Sequence, residues 1–555
     1  MDLSVMERRP GRVEAFLIVF LTWVAVYLPA LGTHELRGEE GRRVLPAVTM
    51  LQTGDWLVPR IGGESYYRKP PLINWLVAAS FTLTGEQSEQ AARLPSVLFI
   101  LAFVTLLVWL GGDWLRIEAR LIAAVLFLTS FAAIAKGRQI EIEAVYISLT
   151  AMAILSWLAL WAAGVSRWAL WLVPSAFLML GMLTKGPPIL VFFYAPVIGV
   201  LAYSRRLRML LSVQHAAAVV LWLGVPALWA YLASLQAARD HTTANISGEL
   251  VTRLTSLDLD WSRWAIDVVR SFVNLLPWVL FLPLLWRRDF LAHLPPARLP
   301  LLKGARLGLV LSFLALTLIP GNSARYGLPV LGLMSVLLGW VLAEAGELPD
   351  RGRLWRGFLL ASYVLAGLTA AGGFIGIRAD LWAAVILCGT LCLATVVIRA
   401  REAFHTPVHL AILSALLGVV LMLQYALFAP PLMPKSEKRR PVAATVNSLV
   451  PAGETVYVFK PGFQSFLFYV RTPMEYLVEP GQIDQRVRFL LVREDAYQQL
   501  KDEVAVASRR PETLCSFPGH IYDFRLLELP PKAQGGGCKT EDGLSQPPSA
   551  VPNQF

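Results

Sequence analysis

Long apolar runs separated by short charged segments dominate the chain up to about residue 430. The first run, about Ala15 to Leu31, follows Arg8, Arg9 and Arg12. It resembles a signal peptide but is long and lacks a convincing small-residue cleavage site, so it reads as a retained first helix. A hydrocarbon core takes about 20 apolar residues per helix. By that rule roughly thirteen spans begin near residues 15, 94, 120, 144, 168, 187, 215, 268, 306, 327, 357, 380 and 408. From Pro431 the pattern changes. PVAATVNSLV reads as a helix. ETVYVFK, SFLFYV, MEYLVE, RVRFLLVRE and HIYDFRLLEL read as short strands, with a helix from Asp495 to about Val506 between the last two. The tail is rich in Gly, Pro, Ser and Gln, which predicts disorder.

The expected fold class is therefore a polytopic α-helical membrane protein with a small C-terminal extracytoplasmic α/β domain. Its parts are a transmembrane region over 1–430 with a first outer loop at about 32–93, the α/β domain over 431–532, and a tail over 533–555. Composition agrees: 56% of the 555 residues are hydrophobic and 16% charged, with a mean hydropathy of +0.55. A soluble enzyme of this length needs far more polar surface. The net charge of +11 suits cytoplasmic loops and anionic headgroups rather than nucleic acid. Eighteen Trp fit interfacial belts. Four Cys are too few for a disulfide scaffold; Cys388 and Cys392 share an apolar run, and Cys515 and Cys538 either pair or stay as thiols.

Alternate loops carry Arg116, Arg167, SRRLR from Ser204, WRRD from Trp286 with Lys303, RGRLWR from Arg351, and Arg399 with Arg401. The positive-inside rule makes that side cytoplasmic. An odd span number then puts the N-terminus inside and the C-terminal domain outside. The outer loops should be poor in cations, yet each conspicuous one holds Lys or Arg. An anionic ligand at the outer face is the simplest reason.

Five outer segments carry the candidate chemistry. In RGEEGRR, Glu39 and Glu40 stand beside Arg42. A carboxylate held by Arg near the membrane can take a proton from an incoming hydroxyl; a solvated charged turn would look the same. In YYRKPPLINW, Pro70 and Pro71 stiffen the chain after Lys69, which suits a compact phosphate grip or a snorkelling Lys. KGRQIEIEAVY adds Lys136, Arg138, Glu141 and Glu143 at the mouth of a span, where charged groups avoid lipid. Residues two apart do not share a helix face, and Glu143, nearer the apolar run, is the pocket candidate. TKGPP adds Lys185, and NSARYGLP adds Arg325 and Tyr326. No nucleotide-binding Gly-rich loop, no HExxH and no Cys/His metal spacing occurs.

Taken together, these motifs resemble the GT-C membrane glycosyltransferases of the protein-O-mannosyltransferase superfamily, in the branch of the lipid A aminoarabinose transferases. The shared order is an acidic pair, here Glu39-Glu40, then Gly54-Asp55-Trp56, Lys69-Pro70-Pro71 and Ala92-Arg93-Leu94-Pro95-Ser96. Arg138 with Glu143, Lys185-Gly186-Pro187 and Arg325-Tyr326 resemble later motifs. The resemblance covers about residues 15–345. It implies a sugar donor carried on a polyprenyl phosphate, attack by an acceptor hydroxyl with inversion, and a first-loop acid as base. Mapped here, Glu39 is the base and Glu143 a supporting acid. Arg42, Lys69, Arg138, Lys185, Arg325 and Tyr326 would bind the lipid phosphate, and Glu40, Asp55 and Arg93 would support the site. It further implies that the first outer loop roofs the cavity as short amphipathic helices.

Two departures stand out. The family usually has Asp where Glu39 and Glu143 stand, and often has an acid where Arg68 stands, so no metal and no other cofactor is expected. The expected partners are the polyprenyl-phosphate sugar, membrane lipids and an acceptor glycolipid, polymer or protein, lipid A included, and not nucleic acid. The rival is a transporter or flippase of lipid-linked sugars that binds the phosphate without transferring sugar. A further rival is a non-catalytic assembly protein whose C-terminal domain recruits partners.

Overall fold

In a computed structural model, residues 10–344 are described apart from 68, 111, 113, 240–260, 288–293 and 318–323. Residues 364, 367 and 407–530 are also described, apart from 429–438, 502, 504, 505, 507, 508, 510 and 519–522. The spans expected from 357 and 380, Arg68, the cationic loops from Arg351 and at Arg399, Cys388, Cys392, Cys538 and the tail lie outside these residues. The chain forms two compact units, one of residues 1–444 with 462–469 and one of residues 445–461 with 470–555.

The first unit opens with α1 (Arg12–Tyr27). The stretch up to the next long helix folds as a 3-10 turn (Gly38–Glu40), α2 (Gly41–Thr53), a hairpin of β1 (Arg60–Ile61) and β2 (Glu64–Ser65), and α3 (Leu72–Thr84). Gly54 ends α2 in the left-handed conformation, φ 73°, which a Cβ would oppose. Then come α4 (Glu89–Leu110), α5 (Ile117–Leu128), α6 (Phe131–Gly137), α7 (Ile142–Ala162), α8 (Arg167–Met182), α9 (Pro188–Tyr203) and α10 (Val213–Arg239). After these stand α11 (Trp261–Val273), a 3-10 segment (Trp278–Trp286), α12 (Leu299–Thr317), α13 (Val330–Glu344) and α14 (Pro407–Phe428).

Among the described residues three helices are long and apolar enough to cross a membrane, namely α4, α7 and α10 within Val213–Gln236; counting two bent pairs makes five. One pair is α5–α6, bent by 60°. Its break has a local cause: the hydroxyls of Thr129 and Ser130 donate back to the carbonyls of Val125 and Leu126. Beyond the break, the amides of Phe131 and Ala132 donate to Leu276 and Asn274 instead. The span expected from residue 120 is thus two short helices. The bend delivers Lys136 and Arg138 to the start of α7.

Small residues let helices touch backbone to backbone. Gly304 on α12 lies against Gly199 and Val200 on α9, with no room for a Cβ on either glycine. Gly339 on α13 meets Ala119 and Ala123 on α5 in the same way.

Chain passes into the second unit along α15 (Arg440–Leu449). That unit is a five-stranded sheet in the order β4-β3-β5-β7-β6, from β3 (Val456–Phe459), β4 (Met474–Leu477), β5 (Phe489–Arg493), β6 (Glu512–Pro518) and β7 (Asp523–Glu528). β3 pairs parallel with β4 and β5, while β7 pairs antiparallel with β5 and β6. Leu490, Val492, Leu500 and Leu527 pack in its core. The helix expected from Asp495 to Val506 is α16, Glu494–Leu500. SFLFYV is no strand: Ser465–Tyr469 is a 3-10 turn with all five side chains buried, which an alternating strand face would not allow. β6 was not among the expected strands; it carries the half-buried Cys515.

Candidate functional site

The RGEEGRR stretch divides its charges by helical rotation. Glu39 ends up three and four residues before Arg42 and Arg43, which share its face. Arg42 grips Glu39 with one nitrogen 2.8 Å and 3.1 Å from the two carboxylate oxygens. Arg43 adds a contact at 3.7 Å. Glu39 keeps 31% of its side chain exposed, which suits a group that must meet a substrate.

These residues line a cavity of about 70 Å³. Tyr66 and Lys69 reach it from the segment before α3, Ile142 and Glu143 from the first turn of α7, Lys185 from the turn after α8, and Arg325 and Tyr326 from a 3-10 turn before α13. Lys185 lies 3.3 Å from Glu143, and Arg325 lies 4.0 Å from it. The Lys185 ammonium stands 4.7 Å from the centre of the Tyr326 ring and 5.4 Å from that of Tyr146, within cation–π range. Gly186, at φ 90°, reverses the chain directly after Lys185 and sends it into α9. Among the described residues the lining therefore holds five cations, Arg42, Arg43, Lys69, Lys185 and Arg325, against two carboxylates, Glu39 and Glu143. Such an excess in a confined space favours an anion.

Four expected site residues stand elsewhere. Glu40 is fully buried. Arg93 holds it at 2.9 and 3.0 Å, and the amides of Ile140 and Arg37 donate to it at 2.9 and 3.0 Å. Arg93 also donates to the carbonyls of Leu31, His34 and Glu35, so this pair ties the start of the loop to α4. Arg138 does not reach the cavity, contrary to its expected part in phosphate binding. Its terminal nitrogens donate to the carbonyls of Val26, Tyr27 and Pro29, at the end of α1. A helix end leaves carbonyls without intrahelical partners, and a buried Arg satisfies them. Burial lowers its pKa to about 10, so it stays charged at neutral pH. Asp55 accepts from Gln236 at 2.9 Å and Leu57 at 3.2 Å and pairs with Arg60 at 3.4 Å. Burial opposes ionisation of Asp55, but those hydrogen bonds and Arg60 outweigh it and lower its pKa. Trp229 of α10 meanwhile donates to Leu57 at 3.0 Å, fixing this turn from a second side. The neighbouring Glu141, outside the lining, pairs with Lys136 at 2.8 Å.

Arg43 and Tyr66 line the cavity without having been singled out beforehand. Arg43 had a signal, since it lies four residues beyond Glu39; Tyr66 had none. A third feature was invisible in the sequence. The segment 462–469 braces the RGEEGRR loop from behind. The Phe463 ring lies 3.7 Å from the Arg42 guanidinium carbon. Tyr469 accepts the Leu36 amide at 2.7 Å and donates to Glu89 at 3.0 Å. Among the described residues no three of His, Cys, Asp and Glu cluster as metal ligands.

His34 gives this loop a pH dependence. Burial pushes its pKa down to about 4, with Arg37, Arg93 and Arg138 adding to the shift and Glu40 opposing it. The unfolded imidazole titrates near 6.5. Between these values the unfolded loop binds a proton that the folded loop refuses, so stability is whole above about pH 6.5 and falls as pH drops towards 4. The melting temperature in detergent is expected to fall over that window in the wild type and much less in His34→Gln.

Residues 68–230 match the family model described as dolichyl-phosphate-mannose-protein mannosyltransferase. The chain is 28% identical over 374 residues to the undecaprenyl phosphate-alpha-4-amino-4-deoxy-L-arabinose arabinosyl transferase of Pseudomonas paraeruginosa, covering 64% of this chain and 66% of that one. It is 25% identical over 356 residues to the protein of that name from Pectobacterium carotovorum, covering 62% of each. The chain thus spans just under two thirds of these relatives. The crystal structure of ArnT from Cupriavidus metallidurans bound to undecaprenyl phosphate superposes with a TM-score of 0.74 at 17% identity, covering 93% of this chain and 98% of that one. The apo form gives 0.71 at 15% identity. That likeness establishes a polytopic membrane fold. In sequence the chain is similar to these arabinosyl transferases, and in fold to ArnT.

Proposed function

We propose that the protein is an inverting glycosyltransferase of the bacterial inner membrane. It moves a sugar from a polyprenyl phosphate, undecaprenyl phosphate in its relatives' names, to a hydroxyl or phosphate of an extracytoplasmic acceptor. The observation that carries this is the convergence of five cations and a half-exposed carboxylate on one cavity from segments far apart in the chain. In this reading Glu39 accepts the proton of the attacking hydroxyl. The anomeric carbon–oxygen bond to phosphate breaks, and the departing phosphate gains negative charge. A unit charge developing 4 Å from one cation gains on the order of 4 kcal/mol at an effective dielectric near 20. The cations thus favour the transition state over the bound donor. Lys185 and Arg325 would hold the phosphate, and Glu143 would keep their side chains aimed at the cavity.

The membrane arrangement belongs to the same proposal. Thirteen spans put the N-terminus in the cytoplasm and the RGEEGRR loop and the domain over 431–532 outside. Acceptors fitting this placement are lipid A, another glycolipid, a polymer or a protein.

Binding of undecaprenyl phosphate to purified protein tests the site. Lys185→Gln is expected to weaken it at least about tenfold, the scale of one lost charge-assisted contact, with affinity falling as salt rises. Equal binding of undecaprenol and undecaprenyl phosphate would remove the phosphate from the account.

A further inference from the structure

We infer that Arg43 is a catalytic residue that binds the donor phosphate and stabilises it as it leaves. This rests on the donor assignment above and concerns the same cavity. Arg43 stands in the first turn of α2, is 5% exposed and lines the cavity. Its backbone is fixed, because the buried Asn74 of α3 donates to its carbonyl at 2.9 Å. A guanidinium is a fork of N–H donors that stays charged. The Glu39 carboxylate stands 3.7 Å from Nη2 of Arg43, within ion-pair range but too far for a hydrogen bond. Among the described residues, the buried Nε and Nη1 of Arg43 meet no acceptor. Buried donors in folded proteins are nearly always met, so donors held at a cavity call for an acceptor that binds there.

The neighbouring Arg42 gives the contrast. It too has a buried Nε without an acceptor, but its Nη1 is committed to both oxygens of Glu39 and its face to the Phe463 ring. Arg42 thus holds the base, and Arg43 is left to hold a ligand. That ligand is compact. The cavity of about 70 Å³ offers little more room than a pair of waters, at about 30 Å³ each. Lys185 lines the same space. A compact group that accepts N–H donors from Arg43 beside an ammonium is an anionic oxygen group, and the donor supplies one in its phosphate. When the sugar–oxygen bond breaks, its electron pair stays on the phosphate oxygen. The sugar passes to the acceptor oxygen and the acceptor's proton to Glu39. The phosphate gains negative charge in that step, so its hydrogen bonds from Arg43 strengthen towards the transition state.

The test uses purified full-length protein in detergent and two lipids, undecaprenyl phosphate and undecaprenol, with binding read by quenching of tryptophan fluorescence. Wild type, Arg43→Gln and Lys185→Gln are compared. Arg43→Gln is expected to weaken binding of undecaprenyl phosphate at least about tenfold, the scale of one lost charge-assisted contact, and to leave binding of undecaprenol unchanged. Undiminished binding of undecaprenyl phosphate by Arg43→Gln, with Lys185→Gln still impaired, overturns the inference and leaves the phosphate reading standing. It does so even if sugar transfer falls, because Arg43 would then serve an acidic group of the acceptor. Equal losses for both lipids make Arg43 structural and also overturn it. Should wild type bind both lipids alike, the phosphate reading fails and the inference falls with it. A variant that does not fold is bypassed with the wild type itself, isotope-labelled at its arginine nitrogens. The Arg43 Nε signal, assigned by its disappearance in Arg43→Lys, should shift with undecaprenyl phosphate and not with undecaprenol. A signal that stays in place with both overturns the inference.

Discussion

Replacing Glu39 by Gln is expected to lower kcat by about 10²–10⁴-fold, the range that one positioned general base supplies. Gln keeps the length and shape of the side chain but cannot take the acceptor's proton. Arg42 and Arg43 remain in the lining, so donor binding should stay the same or tighten, since one negative charge facing the phosphate has gone. The signature is therefore a large loss in kcat with KM unchanged or lower. Glu39→Asp should recover part of the loss. It restores the carboxylate at a reach one methylene shorter, which is the residue usual in the family this chain resembles. A loss of affinity with kcat intact would instead make Glu39 a binding residue and move the base elsewhere, to Glu143 first.

Arg93→Ala is expected to destabilise the first unit by about 3–5 kcal/mol, the cost of leaving one partner of a buried ion pair behind. The Glu40 side chain is 1% exposed and that of Arg93 2%. The substitution would leave a buried carboxylate with only two amide donors, from Arg37 and Ile140. It would also strip the carbonyls of Leu31, His34 and Glu35 of their donor. The double variant Arg93→Leu with Glu40→Leu should lose less than the single one, because no charge is then stranded. Thermal melting in detergent measures both. A loss under about 1 kcal/mol, as for a surface pair, would contradict the account. Activity should fall with the melting point, because the same pair fixes the loop that carries Glu39.

Much of the site was legible because the sequence places unusual charges next to rigid chain. Lys69 precedes two prolines, Lys185 precedes Gly-Pro-Pro, and Arg325 and Tyr326 precede Gly-Leu-Pro. All four residues line the cavity. What the sequence does not carry is the direction of a side chain. Arg138 has the right charge in the right segment, yet the carbonyl end of α1 competes for it and wins. Glu39 and Glu40 are chemically identical neighbours. One residue's step along the 3-10 segment sends the first to the cavity and the second to Arg93.

The long-range parts were least legible. Tyr66 has no local signature. The contact of Phe463 with Arg42 joins positions more than four hundred residues apart, and no local periodicity encodes that. SFLFYV misled for a related reason. An aromatic run satisfies a strand pattern, but consecutive burial in a 3-10 turn suits it equally. The run from residue 120 is mostly apolar, and its bend depends on where the hydroxyls of Thr129 and Ser130 turn.

The most direct test is mass spectrometry of membrane lipids and surface glycans in three strains: wild type, a deletion, and the deletion carrying Glu39→Gln. A polyprenyl-phosphate sugar should accumulate in the second and third while one surface glycan loses that sugar. An unchanged set of lipids and glycans in both would contradict the central claim that this cavity breaks a lipid-phosphate–sugar bond.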